Sequence, residues 1–561
     1  MSRQLGKRGA RGAGLVLALI TAIGITTGPA QAAPAGRTPA QVVAAMQPGW
    51  NLGNTFDSTG DDETSWGNPR VTPELLEGIR AQGFRSIRIP VTWGQHQGPA
   101  PDYAIDPAYL NRVREVVDWA LDDGFYVMLN IHHDSWQWIN NMAADHDTVL
   151  ARYNAIWTQV AAEFRNTSPR LVLESLNEPQ FNGGDPAALL AELNTSFHRI
   201  VRGSGGGNTT RPLVLPTLHT SADQVHLDNL TATFTALNDP NLIATVHYYG
   251  YWPFSVNVAG GYRFDATAQQ DLLDMFTRVH TSFVAKGIPT VIGEYGLLGF
   301  DRHTGTIEQG EKLKFFELFG AQARARGVAT MLWDNGQHFD RTALLWRDTE
   351  LFGQISSSWR TRSGTAASDL LFVRRSAPVT ARTITLNLNG TGFTHVRLGN
   401  TTLRRGPDYT VSGDQLTLTA GLLKRLTNLH GYGVKAALSL RFSRGVPWRL
   451  DVVTFDTPVL AAATGTTDAY AIPATFNGDR LATMTATYAD GSNAGPHSWT
   501  PFKEFDRAFT PDYPAGAIKL TPDFFAEVTD GAPVTLKFYF WSGDTLTYHV
   551  TRSGTTVTGT P

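Results

Sequence analysis

Two glutamates stand at the ends of sequence stretches that have the composition of buried β-strands. Glu178 ends "LVLESLNE" (171–178), and Pro179 after it cannot continue a strand ladder. Glu294 lies in a second such stretch, "PTVIGEYG" (289–296). In parallel α/β folds, side chains at the carboxyl ends of strands face the cleft where chemistry occurs. Both glutamates are therefore candidate catalytic residues, although a structural or salt-bridged pair of acids would give the same pattern.

Glycoside hydrolysis is the chemistry that suits two such carboxylates. It needs a proton for the leaving oxygen and an anion opposite the developing oxocarbenium ion. One carboxyl must therefore stay protonated while the other stays ionised. We expect ionised Glu294 to raise the pKa of Glu178, and we expect that pKa to fall once a sugar ester removes the charge of Glu294.

Polar and aromatic residues at other strand ends support this interpretation. Asn177 could hydrogen-bond a sugar 2-hydroxyl, and Arg88 in "SIRIP" could keep Glu294 ionised. Trp333 closes the last strand and could form a flat floor under a pyranose ring. Taken singly, Arg88 also fits a structural salt bridge, and Trp333 also fits the core. The other strand-end candidates are His132, His133, His247 and Tyr249.

A metal site is an alternative for the His132-His133-Asp134 cluster. Adjacent ligands point apart on a strand, and the sequence has no HExxH motif. We therefore predict no metal and no other cofactor. Glu174 lies deeper in its strand than Glu178, and we interpret it as a buried structural polar group.

Strands that alternate with helices from about residue 40 to 365 position these residues. Amphipathic stretches at 110–124 and 152–166 have helical periodicity. Eight strands separated by helices predict a (β/α)8 TIM barrel, the α/β fold class, over residues 33–366. An open doubly wound sheet fits less well, because no glycine-rich phosphate loop follows the first strand. The strand candidates are 48–56, 86–93, 126–133, 171–178, 212–216, 242–249, 289–296 and 328–334.

Two all-β sandwich modules are predicted after the barrel. Residues 383–419 alternate apolar and polar residues between Gly, Asn and Pro turns, a pattern typical of antiparallel sandwiches. We place the first module at 367–460, with 449–460 as its last strand, and the second at 461–561. The low-complexity segment 461–469 is expected to be a short joint.

The composition of the whole chain excludes several classes of protein. Its 561 residues are too many for a single hydrophobic core, so several domains are expected. A net charge of -3 with 17% charged residues offers no basic surface for nucleic acid or membrane. The absence of cysteine excludes disulfides, thiolate catalysis and cysteine metal sites. Aromatic residues are plentiful, and exposed Trp often serves to stack on the apolar faces of flat ligands.

A targeting segment is predicted at residues 1–32. Four basic residues within the first eleven precede the apolar run "LVLALITAIGI", and Ala30-Gln31-Ala32 fits a cleavage site. The apolar run is too short to span a membrane stably, so a membrane anchor is the less favoured alternative. We expect a secreted, extracellular protein that acts as a monomer.

Eight ordered motifs between about residues 45 and 355 resemble glycoside hydrolase family 5, in particular its cellulase/xyloglucanase branch. They are "GWNLGNTFD", "WGNP", "IRIPVTW", "NIHHD", "LNEP", "HYY", "GEYG" and "MLWDNG". The resemblance implies a retaining endo-β-1,4-glucanase with Glu178 as acid/base and Glu294 as nucleophile. Asp57-Ser58 stands where the family has aspartate-alanine, a mild departure at the glycone end of the cleft. The sugar-binding residues that it implies are Arg88, His132, His133, Asn177, His247, Tyr249 and Trp333.

The two β modules also resemble known families. "GPDYTVSGDQLTLT" resembles the immunoglobulin-like X2 module, while "GSNAGPHSWTPFKEFD" and "FWSGD" resemble carbohydrate-binding module family 46. Trp499 and Trp541 are candidates for stacking on polysaccharide, or equally for the core. Because the joint is short, we expect the X2 module to fold the last module back beside the cleft. A remote anchor is the alternative.

The sequence therefore predicts hydrolysis of β-glucans such as cellulose, xyloglucan and mixed-linkage glucan by double displacement. One alternative is an endo-β-mannanase on the same barrel, because sugar identity depends on loop shape around a few hydroxyls. The other is a non-catalytic polysaccharide-binding protein, which the presence of both glutamates disfavours.

Overall fold

The computed structural model describes residues 37–428 and 430–561. The targeting segment predicted at 1–32 lies outside the described residues. Within the described part of the chain, no helix has the length and apolar character needed to cross a membrane.

Eight parallel strands close into a barrel in chain order, which confirms the predicted TIM-barrel class. Their side chains are buried on both faces, as expected for strands covered by helices outside and packed within. The barrel strands are β1 (Gly49–Asn51), β2 (Ser86–Ile89), β3 (Tyr126–Asn130), β4 (Leu171–Glu174), β5 (Leu213–Pro216), β6 (Leu242–Tyr248), β7 (Thr290–Tyr295) and β8 (Ala329–Leu332).

Helices follow the strands and cover the barrel. One example begins at Pro107, where the side chain of Asp106 accepts a hydrogen bond from the backbone N–H of Ala108, and buries Val113, Val116, Val117 and Ala120 on one face. The helices of this part of the chain are α1 (Pro39–Met46), α2 (Pro73–Ala81), α3 (Pro107–Asp122), α4 (Asp134–Gln137), α5 (His146–Phe164), α6 (Pro186–Gly203), α7 (Gln224–Leu237), α8 (Trp252–Ser255), α9 (Ala266–Ser282), α10 (Gln309–Arg326) and α11 (Thr349–Ser358).

The amino end of the barrel is closed by apolar packing, which leaves the opposite end for chemistry. Val42, Val43 and Met46 of α1 form one buried cluster with inward-facing residues of the barrel strands, including Met128 and Met331. Apolar packing at this end of a TIM barrel contributes to stability, whereas the loops at the carboxyl end form the functional site.

Two β-sandwiches with mostly antiparallel strand pairs follow the barrel and a small β-ribbon, β9 (Phe339–Asp340) with β10 (Leu345–Trp346). The first sandwich contains β11 (Thr365–Ala366), β12 (Leu370–Arg374), β13 (Arg382–Asn387), β14 (Phe393–Leu398), β15 (Thr401–Thr402), β16 (Tyr409–Ser412), β17 (Gln415–Leu418), α12 (Ala420–Leu426), β18 (Gly433–Phe442) and β19 (Trp448–Phe455). The second contains β20 (Val459–Leu460), β21 (Ala463–Thr466), β22 (Tyr470–Thr475), β23 (Leu481–Tyr488), β24 (Phe509–Asp512), β25 (Ala517–Leu520), α13 (Pro522–Ala526), β26 (Val534–Phe540), β27 (Thr545–Ser553) and β28 (Thr556–Thr560).

The strand pairings correct the expected module boundaries by a few residues. β11 pairs with β13, so the first sandwich begins before residue 367. β19 ends at Phe455, and β20 pairs with β22, so residues 459–460 belong to the second sandwich. The segment expected to be a joint, 461–469, contains β21, whose backbone groups are satisfied by β28. Its Gly- and Thr-rich composition concealed a strand.

The first sandwich is packed continuously with the barrel. One apolar cluster runs from the barrel strands into it, while the second sandwich has a core of its own. Lys314 of α10 donates to the carbonyl of Ala367 at 3.1 Å. Arg374 of the first sandwich donates two hydrogen bonds to Asp544 of the second, at 2.6 and 2.8 Å. The first sandwich is therefore held on both sides.

The second sandwich also contacts the barrel directly. The side chain of Asn257 donates to the carbonyl of Ala482 at 3.0 Å, and its backbone carbonyl accepts from the N–H of Phe505 at 3.2 Å. Arg302, in the loop after β7, donates to Glu504 at 2.7 Å. The last module lies beside the carboxyl end of the barrel, and no loose tether separates them.

Candidate active site

A local irregularity in the barrel positions Glu294. The pairing of β7 shifts register against both β6 and β8 around Gly293 and Glu294, as in a β-bulge. The side chain of Asn51 donates to the carbonyl of Gly293 at 2.9 Å and holds this bulge. A Cβ at position 293 would lie only 2.8 Å from Thr245 Oγ1 and 3.1 Å from His247 Nε2, so glycine alone fits there.

Three groups surround the buried carboxylate of Glu294. Arg88 Nη1 donates to Oε1 at 2.6 Å, and the Tyr249 hydroxyl donates to Oε2 at 2.6 Å. His247 Nδ1 lies 3.5 Å from Oε2. Burial, and then the charges of Glu294, Asp301 and Glu178, raise the pKa of Tyr249 well above its usual value, so that the phenol keeps its proton and donates.

Arg88 is fully buried beneath the carboxylates rather than exposed to the cleft. Besides Glu294, its guanidinium donates to Glu174 at 2.8 Å, to Asn51 at 3.1 Å and to Asn177 at 2.7 Å. A side chain without exposed surface cannot contact a sugar, so the sugar contact implied by the resemblance is wrong for Arg88. The expected pair with Glu294 is present.

Glu178 does not end a strand, because β4 stops at Glu174 and Glu178 lies in the loop that follows. Its backbone has a φ of 39°, a left-handed conformation that is unfavourable for a glutamate and recurs at functional sites. Two backbone hydrogen bonds brace this loop, from Asn177 to Ile131 and from His219 to Pro179, both 2.8 Å long. The side chain of Glu178 is 46% exposed to the cleft.

The two glutamates face each other across His247. A carboxylate oxygen of each and a ring nitrogen of His247 all lie within 4.8 Å of one another. His247 Nδ1 is 3.0 Å from Glu178 Oε1. This separation matches the spacing of about 5 to 5.5 Å that double displacement needs, and it is shorter than the roughly 6.5 to 9.5 Å that leaves room for a water in inverting enzymes.

The expected rise in the pKa of Glu178 is not found. Burial acts to raise this pKa, but the hydrogen bond and charge of His247, with the charges of Arg88 and His133, outweigh it. The pKa of Glu178 therefore lies below its usual value before substrate covers the carboxyl. The sequence could not weigh these neighbours, because His247 and Arg88 reach Glu178 from other strands.

His132, His133 and Trp333 form an aromatic wall near the carboxylates. The rings of His132 and Trp333 are parallel, with centroids 5.9 Å apart. Gly53 makes room for the indole, since a Cβ there would lie 2.8 Å from the Trp333 ring. Burial, followed by the charges of His133, Arg88 and His247, lowers the pKa of His132 well below its usual value. His132 is therefore neutral, and its Nδ1 lies within hydrogen-bond distance of the Asn130 amide.

Among the described residues, two groups of side chains have donor atoms close enough for a cation. They are Asp57 with His132 and His133, and Glu178 with His247 and Glu294. In the first group, the Asp57 carboxylate already accepts the backbone N–H groups of Asn54 and Thr55, at 3.0 and 2.6 Å. The polar atoms of this first group suit sugar hydroxyls at least as well as a cation. We keep the prediction that no metal takes part.

Comparison with known proteins decides the family. The model for cellulase (glycosyl hydrolase family 5) matches residues 51–339, more than half of the chain. The chain belongs to glycosyl hydrolase family 5. Models of two carbohydrate-binding domains, X2 and family 46, match residues 365–452 and 456–560. The resemblances that the motifs indicated are thereby confirmed for all three modules.

Relatives of this family 5 chain share its full length. Endoglucanase B of Paenibacillus lautus is 54% identical, and the alignment covers 97% of each chain. The solved structure of the full-length tri-modular endo-β-1,4-glucanase B from Bacillus halodurans is 49% identical, with a TM-score of 0.92 over 94% of this chain and 99% of that one. A tri-modular endo-β-1,4-glucanase from Bacillus licheniformis, complexed with cellotetraose, is 32% identical, with a TM-score of 0.79 over 91% and 99%.

Three exposed tryptophans of the family 5 barrel were not predicted as site residues. Trp66 and Trp136 flank His133, with ring centroids 5.2 and 5.4 Å from it, and Trp136 Nε1 donates to His133 Nδ1 at 2.8 Å. Trp252 lies on the other side of the cleft, at the start of α8. A signal was present, because Trp136 and Trp252 each come three residues after a candidate residue, His133 and Tyr249.

The two tryptophans predicted in the last module lie in different places. Trp499 is 60% exposed, and its ring lies 6.0 Å from that of Trp252 on the barrel. Trp541 instead packs edge-on against Tyr262 at 5.4 Å, with the Arg263 guanidinium 4.7 Å over its ring. Trp499 therefore borders the open end of the barrel, whereas Trp541 belongs to the junction between module and barrel.

Proposed function

We propose that this family 5 protein is a secreted, retaining endo-β-1,4-glucanase in which Glu294 is the nucleophile and Glu178 the acid/base. The observation that carries the proposal is the spacing of the two carboxylates, within 4.8 Å across His247. Full-length similarity to endoglucanases supports the activity. Two carbohydrate-binding domains and the predicted leader support action outside the cell on a polymer.

The surroundings of the two glutamates support this division of roles. Donors from Arg88 and Tyr249 suit a Glu294 carboxylate that attacks the anomeric carbon. Glu178 is the more exposed of the two, and no arginine of residues 37–428 or 430–561 forms an ion pair with it, so it can approach the leaving oxygen. A sugar chain that covers Glu178 would strengthen burial, the effect that raises its pKa, and thereby favour the protonated acid.

The sugar-binding roles are divided among the remaining residues. Arg88 does not contact the substrate. It fixes the side chains of Glu294 and Asn177 by donating hydrogen bonds to them, and the bond to Asn177 uses the amide oxygen Oδ1. The amide nitrogen of Asn177 is then left to donate to a sugar hydroxyl. His132, His133 and Trp333 line one side of the cleft, and Trp66 and Trp136 continue it outward as stacking surfaces.

Retention is the first expected result. Double displacement inverts the anomeric carbon twice, so the initial product should carry the β configuration. Proton NMR of cellopentaose during the first minutes of hydrolysis should show the β-anomer signal before mutarotation produces the α-anomer. An α-anomer that appears first would require a water between the carboxylates and would contradict the assignment of Glu294 as nucleophile.

The last module is proposed to extend the cleft rather than only to tether the enzyme. Trp252 of the barrel and Trp499 of the module stand 6.0 Å apart, and both are exposed. His497 and Arg302 hold the two sides together through Glu504, at 2.6 and 2.7 Å. A long glucan that leaves the barrel past Trp252 would meet Trp499 next, and stacking there would position it for cleavage.

Trp499→Ala should lower kcat/KM on soluble xyloglucan and mixed-linkage glucan by roughly 5- to 30-fold, the loss expected for one sugar-stacking ring worth about 1 to 2 kcal/mol. Hydrolysis of cellotetraose, too short to reach the module, should be unchanged. Carboxymethylcellulose and mannan, measured beside these substrates, would rank the polymers and test the mannanase alternative.

Tyr432→Ala is a matched control, because Tyr432 is an exposed aromatic residue of the X2 module, stacked with Arg375. It should leave all soluble-substrate kinetics as in the wild type. If Trp499→Ala behaves in the same way and loses only activity on insoluble cellulose, the module is a remote anchor and the proposed cleft extension is wrong.

A further inference from the structure

A third carboxylate lies behind the catalytic pair. Glu174 is the last residue of β4 and is fully buried. Its Oε2 accepts from Arg88 Nε at 2.8 Å and from the Asn130 amide at 2.9 Å. Its Oε1 is buried and has no hydrogen-bond partner in the part of the chain that the structure describes. A buried carboxylate with one orphaned oxygen costs free energy, so a compensating role is expected.

Arg88 stands between this carboxylate and the nucleophile. Its Nε edge faces Glu174, and its Nη1 faces Glu294 at 2.6 Å. All three side chains are buried, so water screens none of these charges effectively. One guanidinium thus shares its charge between two carboxylates, of which only Glu294 is exposed to substrate chemistry.

The shared charge matters when the nucleophile reacts. In the first step, a Glu294 oxygen forms a bond to the anomeric carbon, the glycosidic C–O bond breaks, and the leaving oxygen takes the proton of Glu178. Glu294 becomes a neutral ester, so its charge no longer balances Arg88. Breaking a buried ion pair by removing one partner is strongly unfavourable unless another counter-charge remains. Glu174 is that counter-charge.

We propose that Glu174 is a positioning residue that keeps Arg88 neutralised while Glu294 carries the glycosyl group and prevents Arg88 from holding the Glu294 carboxylate too tightly. The inference rests on the function proposed above. It departs from the expectation that Glu174 is only a structural polar group. Glu174 is fully buried and acts on Glu294 through Arg88.

A change of charge at Glu174 should also move the pH profile. The titratable groups that face Glu294 are Glu178, His247, Tyr249 and Asp301, while His132 faces Arg88. Removal of one negative charge from this cluster favours the ionised form of every carboxyl in it. Both limbs of the kcat/KM profile should therefore move to lower pH, because the acid limb follows the nucleophile and the basic limb follows the proton donor.

Glu174→Gln tests the proposal, since it keeps the size of the side chain and removes only its charge. With 2,4-dinitrophenyl β-cellobioside, whose leaving group needs no protonation, kcat/KM at the optimum should fall about 10- to 100-fold, the scale for outer partners of a reacting group. Its acid limb should move to lower pH. On cellopentaose, both limbs should move together. Glu174→Asp keeps the charge, but its side chain is one methylene shorter, so the carboxylate lies further from Arg88. It should lower kcat/KM less and move the limbs by a smaller amount in the same direction.

Glu317→Gln is the matched control. Glu317 is buried and pairs with Arg362, whose side chain is 27% exposed, at 2.6 and 2.8 Å, away from the cleft at the junction with the first sandwich. It should alter the melting temperature without moving either limb. If Glu174→Gln lowers activity with unmoved limbs, or changes kcat/KM less than twofold, the proposal is wrong. If Glu174→Gln does not fold, the same measurements on Glu174→Asp decide. Unmoved limbs, or a change in kcat/KM of less than twofold, would then contradict the proposal. Failure of the wild type to hydrolyse either substrate would instead contradict the proposed function.

Discussion

Glu294→Ala should abolish turnover of polymer and of aryl cellobiosides alike, with a loss of roughly 10⁴- to 10⁶-fold in kcat, the scale seen when a nucleophile is removed. No leaving group avoids the loss, because every substrate must form the bond to Glu294. The fold should persist, since Arg88 keeps Glu174 as a buried partner at 2.8 Å. Circular dichroism and thermal melting of the purified variant would check this.

Azide gives this prediction its sharpest test. In Glu294→Ala, a small anion can enter the vacated space and attack the anomeric carbon from the face opposite the leaving group. With 2,4-dinitrophenyl β-cellobioside, the expected product is the α-glycosyl azide, formed in one displacement. Detection of the β-azide, or turnover within tenfold of the wild type without azide, would show that Glu294 is not the nucleophile.

The barrel could be predicted from the sequence because its strands are strongly apolar and regularly spaced. "YVMLN" and "TVIGEY" are strands in the structure, at β3 and β7. The ends of strands were harder to predict, because "SLNE" (175–178) directly follows the apolar strand but lies outside β4, which ends at Glu174. The left-handed backbone of Glu178 is imposed by hydrogen bonds to residues far along the chain, and no local propensity indicates it.

Contacts between distant segments account for most of the remainder. Arg88 was expected to pair with Glu294, which it does, but its second carboxylate was not foreseen because Glu174 lies 86 residues away on another strand. The ring contact of Trp252 with Trp499 joins two modules, and nothing in either segment indicates the other. The sequence predicts a joint at 461–469 instead of the strand at 463–466, because an "ATGT" edge strand has almost no apolar alternation.

The net lowering of the pKa of Glu178 sets a specific pH dependence. In the free enzyme burial raises the pKa of Glu178, but the hydrogen bond and charge of His247, helped by the charges of Arg88 and His133, outweigh it, so Glu178 loses its proton at a lower pH than an ordinary glutamate. Bound substrate covers the carboxyl and opposes this effect. Because kcat/KM reports the free enzyme and kcat reports the complex, the basic limb of kcat/KM should lie at lower pH than that of kcat.

Glu178→Ala should separate substrates by the basicity of their leaving groups. Polymer and cellopentaose need a proton on the departing oxygen, so kcat/KM should fall by about 10² to 10⁴, the usual worth of general acid catalysis. 2,4-Dinitrophenyl β-cellobioside departs unaided, so its kcat/KM should change little, and the basic limb of the profile should disappear. Its kcat should fall, because water then attacks the glycosyl-enzyme without a base.

Azide should restore that step in Glu178→Ala and yield the β-glycosyl azide, the opposite configuration to the Glu294→Ala product. Activity on polymer within about tenfold of the wild type, or an α-azide, would exclude Glu178 as the acid/base and leave His247 as the group to examine next.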